Sequence, residues 1–192
     1  MARCSRDFPR PFSFPGPEMP ITIREARTSQ ADREWIEEIY GEYLSDLTAD
    51  TTGVFPSLTV TGQSVSEIIQ GWFHDDRCTA FVILREKEPV GFAVVQRSLV
   101  NPGDPARHYR LSEFFIRRPF RSRGVGRGAA MLLFSRYAGE WTVAEQSRNS
   151  GAIRFWRRVV SEFTNGRYRE KRGQGEIAHQ FTSAGPVSAA AR

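Results

Sequence analysis

Apolar and polar positions change their period several times along the chain, and each change marks an element. Ile21–Glu25 (ITIRE) alternates with a period of two and predicts a short strand. From Ser29 and Gln30 the period becomes helical. Trp35, Ile36, Ile39, Tyr40, Tyr43, Leu44 and Leu47 fall along one side of SQADREWIEEIYGEYLSDL. Residues 48–63 read as loop, and Ser64 opens a second helix, SVSEIIQGWFHDD, with Glu67 at the capping-box position. Thr79–Arg85 and Val90–Leu99 are β-rich runs joined by the charged turn EKEP, a hairpin signal. Prolines and a glycine make 101–105 a loop, and Tyr109–Ile116 (YRLSEFFI) predicts another strand. A helix over Gly126–Tyr137, a strand over Trp141–Gln146 and a helix over Asn149–Glu162 follow. Two last strands, Tyr168–Lys171 and Glu176–Thr182, flank the turn RGQG. The order β-α-α-β-β-β-α-β-α-β-β, without internal repeats, predicts a single α/β domain on one mixed central sheet flanked by helices.

Length and composition agree with that picture. The 192 residues suit one domain, 40% of them apolar and 26% charged. Five prolines in residues 1–20 predict a flexible N-terminal extension over 1–19, ahead of a domain over 20–183 and a frayed tail over 184–192. Met19, just before the first strand, is a candidate start. The N-terminus has no apolar h-region and no run is long enough for a membrane span, so a cytoplasmic protein with no membrane partner is expected. Cys4 and Cys78 stand alone, and His74, His108 and His179 are scattered, so neither a disulfide nor a metal site is expected.

Charge adds the decisive detail. The net excess is only +5, from 27 Lys+Arg against 22 Asp+Glu, but it is unevenly placed. Arg117, Arg118, Arg121, Arg123 and Arg127 crowd into one short stretch, which points to a specific anionic ligand more than to a nucleic-acid surface. There a buried strand feeds a glycine-rich turn (Gly124, Gly126, Gly128) and the turn opens a helix. Backbone amides at such a turn, the positive end of the helix dipole and nearby guanidinium groups form a pyrophosphate cradle. The Gly-Lys-Ser/Thr of a Walker loop is missing. A dinucleotide fold is closer, because Gly124-Val-Gly126-Arg-Gly-Ala129 fits G-x-G-x-x-A and Glu145 ends the next strand. Against it, seven residues separate the strand from Gly124, and only about sixty residues follow Gly128.

The stretch from Ile116 to Gly126 resembles the signature of the GNAT superfamily of N-acetyltransferases, Arg/Gln-x-x-Gly-x-Gly/Ala after an aliphatic strand residue. Asn149-Ser-Gly-Ala152-Ile-Arg-Phe155-Trp156 resembles the same family's Asn-x-x-Ala-x-x-Phe/Tyr-Tyr helix. The likeness covers roughly residues 20–183, and the FWRRVV and SEFF segments are similar to a bacterial subgroup of predicted acetyltransferases. The resemblance implies the GNAT fold and transfer of an acetyl group from acetyl-CoA, the cosubstrate, to a primary amine. It implies that backbone groups of Phe115 and Ile116 meet the pantetheine arm. Loop amides of Ser122, Arg123, Gly124, Val125, Gly126 and Arg127 would hold the pyrophosphate, with the Arg121 and Arg123 side chains near it. Asn149 would bond the pantetheine or the acceptor, or act as a plain helix cap.

Glu113, on the strand entering the site, is the candidate base, although its neighbours alternate in a way that also suits the opposite face. Position 156, where the family usually has a thiolate-protonating tyrosine, holds Trp156, which is expected to pack on the pantetheine arm or the core. Tyr40, Tyr43, Asp46 and Asp50 lie where the family builds its acceptor wall, and would suit a cationic small-molecule or peptide amine. Family members often pair as dimers, so a homodimer is a further expectation. Two rivals remain at this point: a non-catalytic acyl-CoA sensing module, motivated by Trp156, and a nucleic-acid binder, motivated by the arginines.

Overall fold

The computed structural model describes residues 20–51, 64–98, 107–173 and 175–186. The expectations for 1–19, for the 101–105 loop, for Cys4 and for most of the tail lie outside these residues.

Among the described residues seven strands form one sheet: β1 (Ile21–Glu25), β2 (Cys78–Arg85), β3 (Glu88–Ser98), β4 (His108–Ile116), β5 (Ala138–Gln146), β6 (Arg169–Arg172) and β7 (Glu176–Ala184). Among the same residues four helices interleave with them: α1 (Gln30–Thr51), α2 (Val65–His74), α3 (Val125–Arg136) and α4 (Ser150–Thr164). The element order is the one the periodicity predicts. The strands lie in the order β1-β2-β3-β4-β5-β7-β6, and every neighbouring pair is antiparallel except β4 and β5. One boundary differs from expectation: α1 runs on to Thr51, four residues into the stretch read as loop.

Local chemistry fixes the helix starts. Ser64 and Glu67 form a complete capping box, the Glu67 amide donating to Ser64 Oγ at 3.2 Å and the Ser64 amide to Glu67 Oε2 at 2.7 Å. Asn149 caps α4, its side-chain oxygen accepting from the Ala152 amide at 2.9 Å.

Each face of the sheet carries its own core. On one, α3 and α4 lay Val125, Leu133, Phe134, Trp156, Val159 and Val160 against Phe81, Trp141, Val143 and Phe181. On the other, α1 and α2 lay Ile36, Ile39, Tyr40, Tyr43, Ile69 and Trp72 against Phe92, Val94 and Phe115. Burial of these side chains, each contributing about 1.5–3 kcal/mol, outweighs any local propensity. Cys78 is buried in β2. His179 is fully buried beside Glu145, Nε2 to Oε1 2.8 Å, so Glu145 is enclosed in the core and is not a ribose ligand. Among the described residues no helix is long and apolar enough to cross a membrane, and no cluster of acidic, His or Cys side chains is placed to hold a metal ion.

Candidate active site

Two irregularities in β4 build the site. The first is a parting of strands. β4 pairs with β5 only from His108↔Glu140 to Leu111↔Val143, although β4 continues to Ile116 and β5 to Gln146. Beyond Leu111 the two parallel strands diverge, and the β5-facing side of β4 has no strand partner. Phe115 and Ile116 lie on this unpaired length. The second is a bulge. Val95 pairs with Leu111 but Val94 pairs with Glu113, leaving Ser112 as an extra residue on β4. Before the bulge, Tyr109 and Leu111 face α3 and α4; after it, Phe114 and Ile116 do. Phe115 therefore joins the α1 and α2 core.

Glu113 follows Phe115 to the α1 side, and there Tyr43 Oη donates a hydrogen bond to its carboxylate. Burial raises the Glu113 carboxyl from about 4.5 to about 7, against smaller opposing effects of the Tyr43 bond and the charge of Arg110. Tyr43 is pushed well above its ordinary value, first by burial and then by the Glu113 charge, so its hydroxyl stays protonated and keeps donating. Tyr40, in ring contact with Tyr43 at 5.4 Å, is raised for the same two reasons.

The parting of β4 and β5 opens a cleft of about 1030 Å³. Tyr43, Asp46 and Leu47 of α1, Phe114, Phe115 and Ile116 of β4, the loop after β4 and the start of α4 all border it. Of the residues expected from sequence to hold a cofactor, Phe115, Ile116, Arg121, Ser122, Gly124, Gly126, Arg127, Asn149 and Trp156 all border this one cleft. Arg123 and Val125 do not. Arg123 is exposed, and Val125 is buried in the core, leaving only its backbone to offer. Glu113 itself does not border the cleft, but its partner Tyr43 does.

The loop is shaped as a donor of amides. After one 3-10 turn (Arg118–Phe120), Ser122 at φ 60° and Gly124 at φ 79° both take left-handed backbone. That conformation suits glycine and costs Ser122 of order 1 kcal/mol or more, a strain that recurs at ligand-binding turns. Gly124 caps α3 without any side-chain bond, so the first amides of the helix have no cap partner. A Cβ on Gly126 would lie 3.2 Å from Phe155 Cζ, so only glycine lets the start of α3 approach α4 this closely without displacing that ring.

The arginines are mostly committed within the fold. Arg117 pairs with Glu42 at 3.0 Å, Arg118 with Asp46 at 2.5 Å, Arg121 with Asp46, and Arg127 with Glu162. Arg121 Nε also donates to the Ile116 carbonyl at 2.7 Å, and its guanidinium lies over the Phe115 ring at 5.5 Å. It thus braces the loop against α1. Asp46, a sequence candidate for the acceptor wall, is the buried anchor of that brace. The Asp50 side chain lies outside what the structure describes. Trp156 is buried, its ring edge-on to Phe114 at 5.0 Å and to Phe155 at 4.7 Å. Sequence reasoning missed several residues that border the cleft, among them Phe114, Arg154, Phe155 and Arg158. Their signal was adjacency to residues already singled out.

An amide-lined helix start, an opened pair of parallel strands and a raised carboxyl beside the opening thus lie together. The model of the acetyltransferase (GNAT) family matches residues 34–160, and the chain belongs to that family, the N-acetyltransferases that draw their acyl group from acetyl-CoA. The fold is similar to that of an acetyltransferase from Thermus thermophilus, at 20% identity and TM-score 0.59, over 84% of this chain and 97% of that one. It is also similar to the ribosomal-protein-S18-alanine N-acetyltransferase of Escherichia coli (13%, TM-score 0.53, 90% and 99% covered). PaiA N-acetyltransferase of Thermoplasma acidophilum, solved with coenzyme A, is a third (14%, TM-score 0.52, 85% and 99%). No curated protein matches the chain significantly.

Proposed function

We propose that this enzyme moves the acetyl group of acetyl-CoA to a primary amine, with Glu113 as the proton acceptor. The observation that carries the reading is a single cleft joining the amides of Gly124 and Gly126 to Tyr43, the partner of a carboxylate raised to about 7. The residues present fit the donor. Uncapped amides at the α3 start suit a diphosphate, and the β4 edge beyond Leu111 offers backbone groups to an extended amide-containing arm. Bound there, acetyl-CoA supplies an activated acyl group with a good leaving thiolate.

The chain's own residues do the rest. An ammonium is not a nucleophile, so the acceptor must lose a proton before attack. A carboxylate near neutrality takes that proton and remains basic enough to be useful at physiological pH. Because Glu113 sits behind Tyr43, the proton passes to it through water or across the Tyr43 hydroxyl, which accepts from the amine while donating to Glu113. The aromatic faces of Tyr40 and Tyr43 suit a cationic amine approaching from the α1 end. Trp156 has no acidic hydroxyl, so its part is to shape the cleft wall, and the departing thiolate takes its proton from water. Asn149 acts as the cap of α4 and sets where that helix begins.

An amine panel assayed by thiol release, with wild type and Glu113→Gln in parallel, tests the reading. Turnover of at least one amine by wild type, lost in the variant, is expected. Tight acetyl-CoA binding without turnover across a broad panel would favour the sensing module that Trp156 motivates.

A further inference from the structure

The cations around the cleft divide into two kinds. Arg121 is held by Asp46 and Arg127 by Glu162. Arg154 and Arg158, four residues apart and therefore stacked on one face of α4, are exposed and make no ion pair among the described residues. Both border the same cleft as Gly124 and Gly126. Glu162, one turn further along, already belongs to Arg127, which holds its carboxyl below the usual range, with a smaller effect of Arg158. Once backbone amides have accounted for a diphosphate, the guanidinium groups of Arg154 and of Arg158, which has only a share of the Glu162 charge, remain along the same cleft. A planar fork of donors without a carboxylate partner, at the rim of an anion cleft, is recognition chemistry for another phosphate.

We propose that Arg154 and Arg158 form a subsite for the 3′-phosphate on the ribose of coenzyme A, so that the enzyme selects phosphorylated over 3′-dephosphorylated donor. The inference rests on the donor reading above and adds to it the part of the donor that α4 reads. Neither arginine touches the reacting atoms, and the subsite is expected to act on donor affinity and not on the chemical step.

Calorimetry with coenzyme A and with 3′-dephospho-coenzyme A, on wild type and on Arg154→Gln/Arg158→Gln, tests it. Wild type is expected to bind coenzyme A roughly tenfold more tightly than the dephospho form. The double variant is expected to lose that preference by weakening for coenzyme A, its affinity for the dephospho form staying within about twofold. Thermal melts of the variant check that these exposed changes leave the fold intact, and single variants, each removing part of the preference, provide a second measure. Equal affinity of wild type for the two compounds overturns the subsite while leaving the donor reading in place. So does a double variant that weakens both alike, or one that raises only the KM of the amine. Failure of wild type to bind either compound removes the donor reading and the subsite together.

Discussion

The hydroxyl of Tyr43, on α1, donates to the carboxylate of Glu113, which lies 70 residues away on β4. Each side chain alone has an ordinary structural explanation, Tyr43 as a core aromatic and Glu113 as a strand-edge acid. Together they make a group that titrates near neutrality at the edge of a cleft, held in place by a partner that cannot itself ionise there.

Replacing Glu113 with Gln is expected to lower kcat/KM for the amine by about 10²–10³-fold, while the Kd for coenzyme A changes by less than about twofold. The wild-type rate should rise through pH 7 as the carboxyl deprotonates, and the variant should lack that limb. The same shift reaches stability. Because folding raises this pKa, the folded state holds the proton more tightly. Its contribution is complete below the ordinary value near 4.5 and is lost as pH rises through about 7. Melting curves of wild type minus variant across pH 4 to 8 read that difference directly.

Tyr43→Phe removes a hydrogen bond that favours the charged carboxylate. The acidic limb of kcat/KM should therefore move to higher pH. A limb that stayed in place or moved down would mean the two groups do not communicate.

Gly124 has open space beside its Cα but a left-handed backbone. Gly124→Ala should cost about 1 kcal/mol of stability and modest donor affinity, from conformation alone. Gly124→Glu adds a negative charge at the helix start and should reduce coenzyme A affinity by more than about 100-fold. Comparison of the two by calorimetry separates charge from backbone strain, and equal affinities would show that the anion site lies elsewhere.

Asp46 ties both Arg118 and Arg121 to α1. Since the arginines are partly exposed, Asp46→Asn should cost about 1–2 kcal/mol, seen as a lowered Tm. Loosening the loop should raise the donor KM roughly three- to tenfold with a smaller change in kcat. Asp46→Glu should recover part of both, whereas a lowered Tm with an unchanged KM would make Asp46 a stability residue only.

The element order and the gathering of Phe115, Ile116, the glycine turn and Asn149 around one place were legible because they are written in local period and spacing. The C-terminal end of α1 was not, since Thr48–Thr51 continues the helix with Ala49 as its one apolar residue. Nor could the direction of Glu113 be read. The alternation in YRLSEFFI fits either face, and the choice depends on how β3 pairs with it. The arginine cluster was visible, but its neutralisation was not, because Glu42, Asp46 and Glu162 come from distant segments. Arg154 and Arg158 stood inside a recognised helix at positions that its signature leaves free.

Ser112 is the one residue of β4 without a partner on β3, and its side chain is exposed, so neither its identity nor its presence sets which way its neighbours face. Exchange of Ser112 for another polar residue leaves the count intact. Its deletion would remove the bulge and restore plain alternation, with Leu111 and Phe114 still facing α3 and α4 and Glu113 and Phe115 still on the α1 side. Variation at 112 should therefore be accepted both as substitution and as loss of that one residue, with Glu113 kept beside Tyr43 in either case.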